Sequence, residues 1–237
     1  MGGNRNGNAN LNSTPGSDFE AARRDMVATQ IRARGIRSPR VLHTMQTVPR
    51  HLFIPLAKIS AAYADEPLPI GEGQTISQPF MVAAMSQALS LEGSERVLEV
   101  GAGSGYQAAV LSLLAPEVIA IESQPALAAS ARERLARLGY ANVQIEVGDG
   151  SLGWPAAAPY DAILVAAAAP AIPPPLLDQL AEAGRLVIPV GTPKDQQLIR
   201  VVKNGGRITS ESLYSCRFVP LLGRFGWRQN MQEITTR

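Results

Sequence analysis

The chain has 237 residues, of which 46% are hydrophobic and 18% charged, and its 22 Lys and Arg against 20 Asp and Glu leave a net charge of +2. This is ample apolar material for a large core, and the near-neutral balance demands no nucleic-acid or membrane partner. One cysteine, Cys216, excludes an internal disulfide and a multi-cysteine zinc site, and no run of about 18 apolar residues is present to span a bilayer.

Residues 1–17 are mostly Gly, Asn and Ser. They cannot bury enough surface to offset the entropy of ordering, so a disordered tail is predicted, and it carries no apolar segment of the kind a secretory signal needs. From Phe19 to Ile36 the pattern is helical, with Met26, Val27, Ile31 and Ile36 facing inward. Arg23, Arg24, Arg32, Arg34, Arg37 and Arg40 crowd this stretch and read either as a solvated face or as an RNA-binding stripe. Ser38-Pro39 is a cap followed by proline at the first helical position, so a second helix starts there and ends near Val48-Pro49. Residues 63–79, broken by Pro67, Pro69, Gly71 and Gly73, read as an irregular loop. Ser77 or Gln78 then caps a helix that places Met81, Met85 and Leu89 inward.

From residue 96 onward strands and helices alternate. The predicted strands are Arg96–Val100, Val118–Ile121, Val143–Val147, Ala162–Ala166 and Arg185–Val190. The predicted helices are Gln107–Leu114, Pro125–Leu138 with Gly139 as its stop, and Leu176–Ala183 with Gly184 as its stop. Leu198–Lys203 and Arg207–Tyr214, joined by Asn204-Gly205-Gly206, read as a β-hairpin. The fold class is therefore α/β: a doubly wound, mostly parallel sheet with a C-terminal antiparallel hairpin and a helical N-terminal extension. One domain is predicted over 18–237, with the extension and a substrate and cofactor loop in 18–90 and the sheet in 91–237.

Three motifs fall at consecutive strand ends, where ligands of open α/β sheets bind. Gly101-Ala102-Gly103-Ser104-Gly105 links the first strand to its helix. Its third glycine is one position early for the dinucleotide fingerprint and no phosphate-loop lysine follows, so a nucleotide without pyrophosphate fits better. Glu122 ends the second strand about 20 residues after Gly101, and an acid there can accept hydrogen bonds from both ribose hydroxyls or simply be a surface loop residue. Gly148-Asp149-Gly150 follows the third strand; Asp149 can accept from an adenine amino group, or mark an Asp-Gly turn.

Together these resemble the S-adenosylmethionine-dependent methyltransferases of the doubly wound sheet type, which have a seven-stranded sheet. The finer resemblance, over roughly residues 19–223, is to the protein-L-isoaspartate O-methyltransferase family. It rests on Gly73–Pro79 (GQTISQP), Gly101–Val110, Gly148–Trp154, Ala158–Ile163, Arg185–Gly191 and Arg217–Gly223. Ala166 stands where family members often carry Thr.

The resemblance implies methyl transfer from S-adenosyl-L-methionine to the α-carboxylate of L-isoaspartyl residues in damaged proteins, with S-adenosyl-L-homocysteine as the product and no metal. It implies Ser77 as the catalytic residue and Thr75, Ser77 and Gln196 as substrate contacts, with Gln197 an adjacent alternative to Gln196. The implied cofactor contacts are Gln74, Thr75, Ile76 and Ser77, then Gly101, Gly103 and Gly105, then Glu122, Ser123, Asp149 and Gly150. A monomer in the cytoplasm is expected, acting on isoaspartyl proteins and peptides and on no nucleic acid or membrane. The competing expectation is a methyltransferase acting on RNA or a small molecule.

This chemistry agrees with what the chain lacks. A carboxylate nucleophile with a pKa of about 4 is already ionised and needs no general base. His43, His51 and Cys216 therefore read as structural or surface residues. Asn6-Gly7 and Asn204-Gly205 are prone to succinimide formation because glycine leaves the following N–H unhindered, and the flexible first pair is expected to age faster.

Overall fold

Strands 96–100, 117–122, 160–165 and 180–191 are rich in Val, Ile, Leu and Ala, the composition of strands buried on both faces, whereas 143–147 (VQIEV) alternates and buries only Ile145. In the computed structural model, which describes residues 15–228, they build a seven-stranded sheet in the order β5-β4-β3-β6-β7-β8-β9. Its members are β3 (Arg96–Val100), β4 (Glu117–Glu122), β5 (Val143–Val147), β6 (Tyr160–Val165), β7 (Leu180–Gly191), β8 (Gln196–Asn204) and β9 (Arg207–Cys216). The first five run parallel, and β8 and β9 are antiparallel to their neighbours. The chain winds outward from β3 through β4 to β5, then returns to β6 on the other side of β3. The carboxyl end of β3 is thus the switch point, where a ligand crevice forms.

Alternate strand residues enter two cores. Val97, Val118, Ala120, Ala162, Leu164 and Val187 face the N-terminal extension, and Leu98, Ile119, Ile121, Ile163 and Ile188 face the opposite side. The extension is therefore part of the core: Met26, Val27, Ile31 and Ile36 are all buried, as their spacing predicts.

The expected single helix 19–36 is one continuous helical path with three geometries. α1 (Pro15–Asp25) passes into a π-helical turn at Met26–Ile31 and a 3-10 turn at Arg32–Arg34, ended by Gly35 in the left-handed conformation. Its start at Pro15 falls inside the expected tail, and the rest of that tail lies outside the described residues. α2 (Pro39–Thr47) begins as expected, with the Ser38 hydroxyl accepting from the Val41 N–H. The arginines serve the fold. Arg24 pairs with Glu20, Arg34 pairs with Asp65 and lies over the Phe80 ring, and Arg40 donates to the Leu91 and Leu114 carbonyls.

Two expectations are corrected. Residues 63–79 are not wholly irregular: β1 (Leu68–Gly71) and β2 (Gln74–Ile76) form a small hairpin turning at Glu72-Gly73. Short alternation around a Glu-Gly turn supplied that signal, and the two prolines obscured it. The helix 176–183 is shorter and earlier: α6 is Pro174–Asp178, and β7 already begins at Leu180. Gly184 is no helix stop. It sits inside β7, where a Cβ would meet the Ala181 carbonyl at 2.7 Å, after Ala183 with positive φ. The remaining helices are α3 (Pro79–Ala88), α4 (Tyr106–Ser112) and α5 (Pro125–Arg137).

The sheet ends in two different edges. β5 is short, and Arg132 of α5 donates to its Ile145 carbonyl at 2.7 Å. β9 is exposed over Arg207–Ser212.

The Asn204-Gly205-Gly206 turn is braced. The Glu182 carboxylate accepts the N–H of Gly205 and that of Gly206. The Gly205 nitrogen is the atom that must attack the Asn204 side chain for a succinimide to form. Glu182→Ala is expected to raise the rate of isoaspartate formation at Asn204 about fivefold, the factor for losing one ordinary hydrogen bond. Peptide mapping of samples aged at neutral pH reads this rate, and an unchanged or slower rate refutes the brace. Asn6 lies outside the described residues.

Candidate functional site

A cleft opens at the carboxyl ends of β3, β4 and β6, where a doubly wound sheet binds its ligand. Its walls include the hairpin strand β2 with Ser77, the glycine loop 101–104, the end of β4 and residues 219–222, with Val82, Met85, Tyr106 and Gln107 closing it from the helices.

The glycine loop turns tightly off β3. The Gly101 and Ala102 N–H groups both donate to the Ile121 carbonyl, at 2.8 and 3.1 Å. Gly103 lies under the β1–β2 hairpin, where a Cβ would stand 3.3 Å from Ile70. Gly101 and Gly103 line the cleft as expected. Gly105 does not. It has φ +85° and faces Leu135 and Ala131 of α5, so it serves the close packing of α4 on α5 and touches no ligand space.

Glu122 is buried at the cleft wall. One carboxylate oxygen accepts the Gly103 N–H at 2.8 Å and the other accepts the Gln124 N–H at 3.0 Å. The Ser123 hydroxyl donates to it at 3.4 Å. One side chain thus joins the glycine loop to the start of α5. A carboxylate has about four acceptor positions and three are taken here, so one remains for a ribose hydroxyl. Glu122→Gln replaces one acceptor oxygen with a donor, and S-adenosyl-L-homocysteine is expected to bind about tenfold more weakly. Isothermal titration calorimetry measures this, and an unchanged dissociation constant defeats the assignment.

Gln74, Thr75, Ile76 and Ser77 all reach the cleft, from β2 and the residue after it. The N-cap of α3 is Gln78, with no side-chain cap bond, so the Ser77 hydroxyl is not committed to the helix. Gln78 instead donates to Asp65, which also takes Arg34, and this fixes the segment beside Ser77. Ser123 and Gly150 line the wall as expected.

One expected substrate contact is elsewhere. Gln196 is buried at the start of β8, where its amide accepts from the Phe218 N–H at 2.7 Å and donates to the Phe218 carbonyl at 3.3 Å. It holds the strand leading into residues 219–222 and does not line the cleft. Gln197 bonds Ser215 and Ser212 and does not line the cleft either. Asp149 accepts from the N–H and hydroxyl of Ser151 and from the Arg224 N–H, and it lines an adjoining hollow that shares Ser123, Gln124 and Leu222 with the cleft.

The structure adds one residue. Glu99 is fully buried in β3, and neither carboxylate oxygen has a partner among the described residues. Both it and Glu122 line the cleft. Burial, reinforced by the charge of Glu122, pushes the Glu99 carboxyl well above the usual range. An acid inside the apolar run Val97-Leu98-Glu99-Val100 was the available signal. Such a group is costly unless a cation meets it, so the cleft suits a positively charged ligand.

Arg50 links the two halves of the site. Its buried guanidinium donates to the Ala62 carbonyl at 2.8 Å and lies 5.1 Å from the ring of Tyr106, the first residue of α4. Burial lowers its pKa and raises that of the Tyr106 phenol to about 12. His51 stacks on Phe19 and bonds Tyr63 at 2.7 Å, and burial holds its pKa down. Cys216 is half-buried with its thiol pushed up to about 11 by burial. His51 and Cys216 lie outside the cleft. Among the described residues no group of three or more His, Cys, Asp or Glu is placed to hold a metal ion.

A family model described as protein-L-isoaspartate(D-aspartate) O-methyltransferase matches residues 21–226. A protein-L-isoaspartate O-methyltransferase of Methanoculleus marisnigri is 54% identical over 206 residues, 87% of this chain and 94% of that protein. A protein-L-isoaspartate O-methyltransferase 1 of Syntrophobacter fumaroxidans is 53% identical over 210 residues, 89% of this chain and 98% of that protein. Among solved structures, one named protein-L-isoaspartate O-methyltransferase superposes with a TM-score of 0.77 at 28% identity, covering 86% of this chain and 67% of that one. A second, from Plasmodium falciparum and in complex with S-adenosyl-L-homocysteine, gives 0.74 at 28% identity, covering 84% and 98%.

Proposed function

The chain belongs to the protein-L-isoaspartate(D-aspartate) O-methyltransferase family, and from that premise we propose how its cleft carries out the family's reaction. The reaction esterifies the free α-carboxylate of an L-isoaspartyl residue. The following backbone nitrogen then attacks the ester, methanol leaves, and the succinimide opens partly to normal Asp. S-adenosyl-L-methionine, when bound, supplies an electrophilic methyl on a positively charged sulfur.

The observation that carries this reading is the pairing of a free Ser77 hydroxyl with a buried, unpartnered Glu99 in one cleft. Glu99 offers a negative partner for a cationic donor. Glu122 offers an acceptor for its ribose, and Gly101, Gly103 and Gly150 let the backbone approach closely. Gln74, Thr75, Ile76 and Ser77 form the side from which the acceptor arrives. Ser77 donates to the substrate carboxylate and keeps one oxygen on the methyl axis, so the residue orients and forms no covalent intermediate. No proton need be removed from the nucleophile. The gain comes from alignment and exclusion of water, which can contribute roughly 7–11 kcal/mol.

Isoaspartyl and aspartyl residues carry equal charge, so discrimination rests on where the carboxylate hangs from the backbone. Tritium transfer from labelled S-adenosyl-L-methionine to matched isoaspartyl and aspartyl peptides tests the reading. Labelling of the isoaspartyl peptide alone is expected, and equal labelling or none refutes it. We place the protein in the cytoplasm as a monomer; no helix among the described residues is long and apolar enough to cross a membrane.

A further inference from the structure

The helices α3 and α4 supply one wall of the cleft. Val82 and Met85 of α3 line it, as do Tyr106 and Gln107 of α4. Gln107 is buried, and its amide nitrogen donates to the Ser86 hydroxyl at 3.0 Å. Ser86 is buried as well, and its hydroxyl donates to the Val82 carbonyl one turn back along α3 at 2.8 Å. A serine hydroxyl has a single proton. With that proton on Val82, Ser86 can only accept, so Gln107 must turn its NH₂ toward α3. The amide oxygen is thereby held facing away from Ser86, and it is the acceptor this side chain offers to the cleft.

The adenosine half of the donor is provided for elsewhere. Glu122 suits the ribose, and Gly150 with the adjoining hollow at Asp149 suits the base. The methionine half is left for the wall that α3 and α4 build. Its α-ammonium brings a positive charge and several N–H donors, and each donor needs an acceptor once water is excluded. Glu99 meets the charge, since both of its oxygens are buried without a partner among the described residues. A carboxylate in that place repels the donor's own carboxylate, so the ammonium is the end that turns toward it.

We propose that Gln107 is a specificity-determining residue for the methyl donor: its amide oxygen accepts from the α-ammonium of the methionine half, alongside Glu99. Ser86 does not line the cleft and is the positioning residue that sets the direction of the amide. The inference rests on the assignment of the cleft to S-adenosyl-L-methionine. Its consequence is selection by the amino-acid head of the ligand. A nucleoside thioether without the ammonium leaves the Gln107 oxygen unpaired and gains nothing from Glu99.

Gln107→Leu keeps a helix-forming side chain of similar size and removes the amide. Parent and variant are titrated calorimetrically with S-adenosyl-L-homocysteine and with its desamino analogue, in which hydrogen replaces the α-amino group. Loss of a hydrogen bond to a charged group predicts about tenfold weaker binding of S-adenosyl-L-homocysteine by Gln107→Leu. The desamino analogue is expected to bind the variant as it binds the parent, which also reports that the cleft is still folded. Ser86→Ala leaves the amide in place but frees its direction. Loss of one ordinary hydrogen bond predicts about fivefold weaker binding of S-adenosyl-L-homocysteine there, again with the desamino analogue unaffected. In methyl transfer, Gln107→Leu is expected to raise the KM for S-adenosyl-L-methionine and to leave the KM for an isoaspartyl peptide unchanged.

Weakening of both ligands by the same factor in Gln107→Leu means that the residue only packs α4 on α3, and it overturns the proposal. Undiminished binding of S-adenosyl-L-homocysteine by that variant overturns it as well. So does a parent chain that binds the two ligands equally, an outcome that leaves the assignment of the cleft standing. A parent chain that binds neither ligand defeats that assignment and the proposal together.

Discussion

Replacing Ser77 by alanine is expected to lower the rate of methyl transfer to isoaspartyl peptides about a hundredfold, the scale of misplacing a reacting atom by an ångström. Binding of S-adenosyl-L-homocysteine should change less than about twofold, because Glu99, Glu122 and the glycine loop are untouched. The expectation follows from the hydroxyl's position. Ser77 lines the cleft, Gln78 and not Ser77 occupies the N-cap position of α3, and Gln78 is tied to Asp65, so Ser77 is both free and held in place. Ser77→Thr keeps a hydroxyl and should retain much of the rate. Single-turnover tritium transfer makes the measurement. An alanine variant within fivefold of the parent would remove Ser77 from the reaction.

Glu99→Gln is expected to weaken binding of S-adenosyl-L-methionine about thirtyfold or more, the cost of removing one member of a buried charge pair. It should also stabilise the empty protein at neutral pH. The folded-state pKa of Glu99 lies above its ordinary value of 4.5, so the native state holds a proton that the unfolded chain gives up. Stability therefore falls as pH rises from about 4.5 toward the raised value, and a neutral amide escapes that loss. The thermal midpoint of the variant should exceed the parent's at pH 7, with the gap closing toward pH 4.5. A cation entering the cleft favours the ionised form, so binding should release a proton in the parent and none in the variant. Calorimetry in buffers of different ionisation enthalpy reads that proton. Equal proton release in both proteins would show that Glu99 is not the partner.

The sheet was legible because its first five strands are short runs, apolar or alternating, each followed by a turn or helix signal. The cleft was legible for a related reason: Gly101, Gly103 and Glu122 belong to local motifs at strand ends. The misreadings share one cause, since each concerns a residue whose role is set by a distant partner. Gln196 sits next to a loop in sequence, yet the Phe218 backbone claims both ends of its amide. Leu180–Ala183 has helix-forming composition, yet pairing with β6 draws Leu180 into a strand opposite Tyr160. Glu99 was visible as an oddity, but its exposure to the cleft depends on α3 and α4, which no strand pattern encodes.

The edges of the sheet matter for an enzyme whose clients are aged and partly unfolded chains. Such chains carry exposed strands that seek any free ladder, and an open edge would capture them through main-chain bonding far from the reactive groove. At β5 the brevity of the strand and the Arg132 guanidinium on Ile145 oppose such pairing. At β9 the solvent-facing sequence Arg207-Ile208-Thr209-Ser210-Glu211-Ser212 surrounds its backbone with charges and hydroxyls, which an added strand would have to desolvate. Main-chain capture of a client chain is therefore disfavoured at both edges, with Ile208 the one exposed apolar side chain on the β9 stretch.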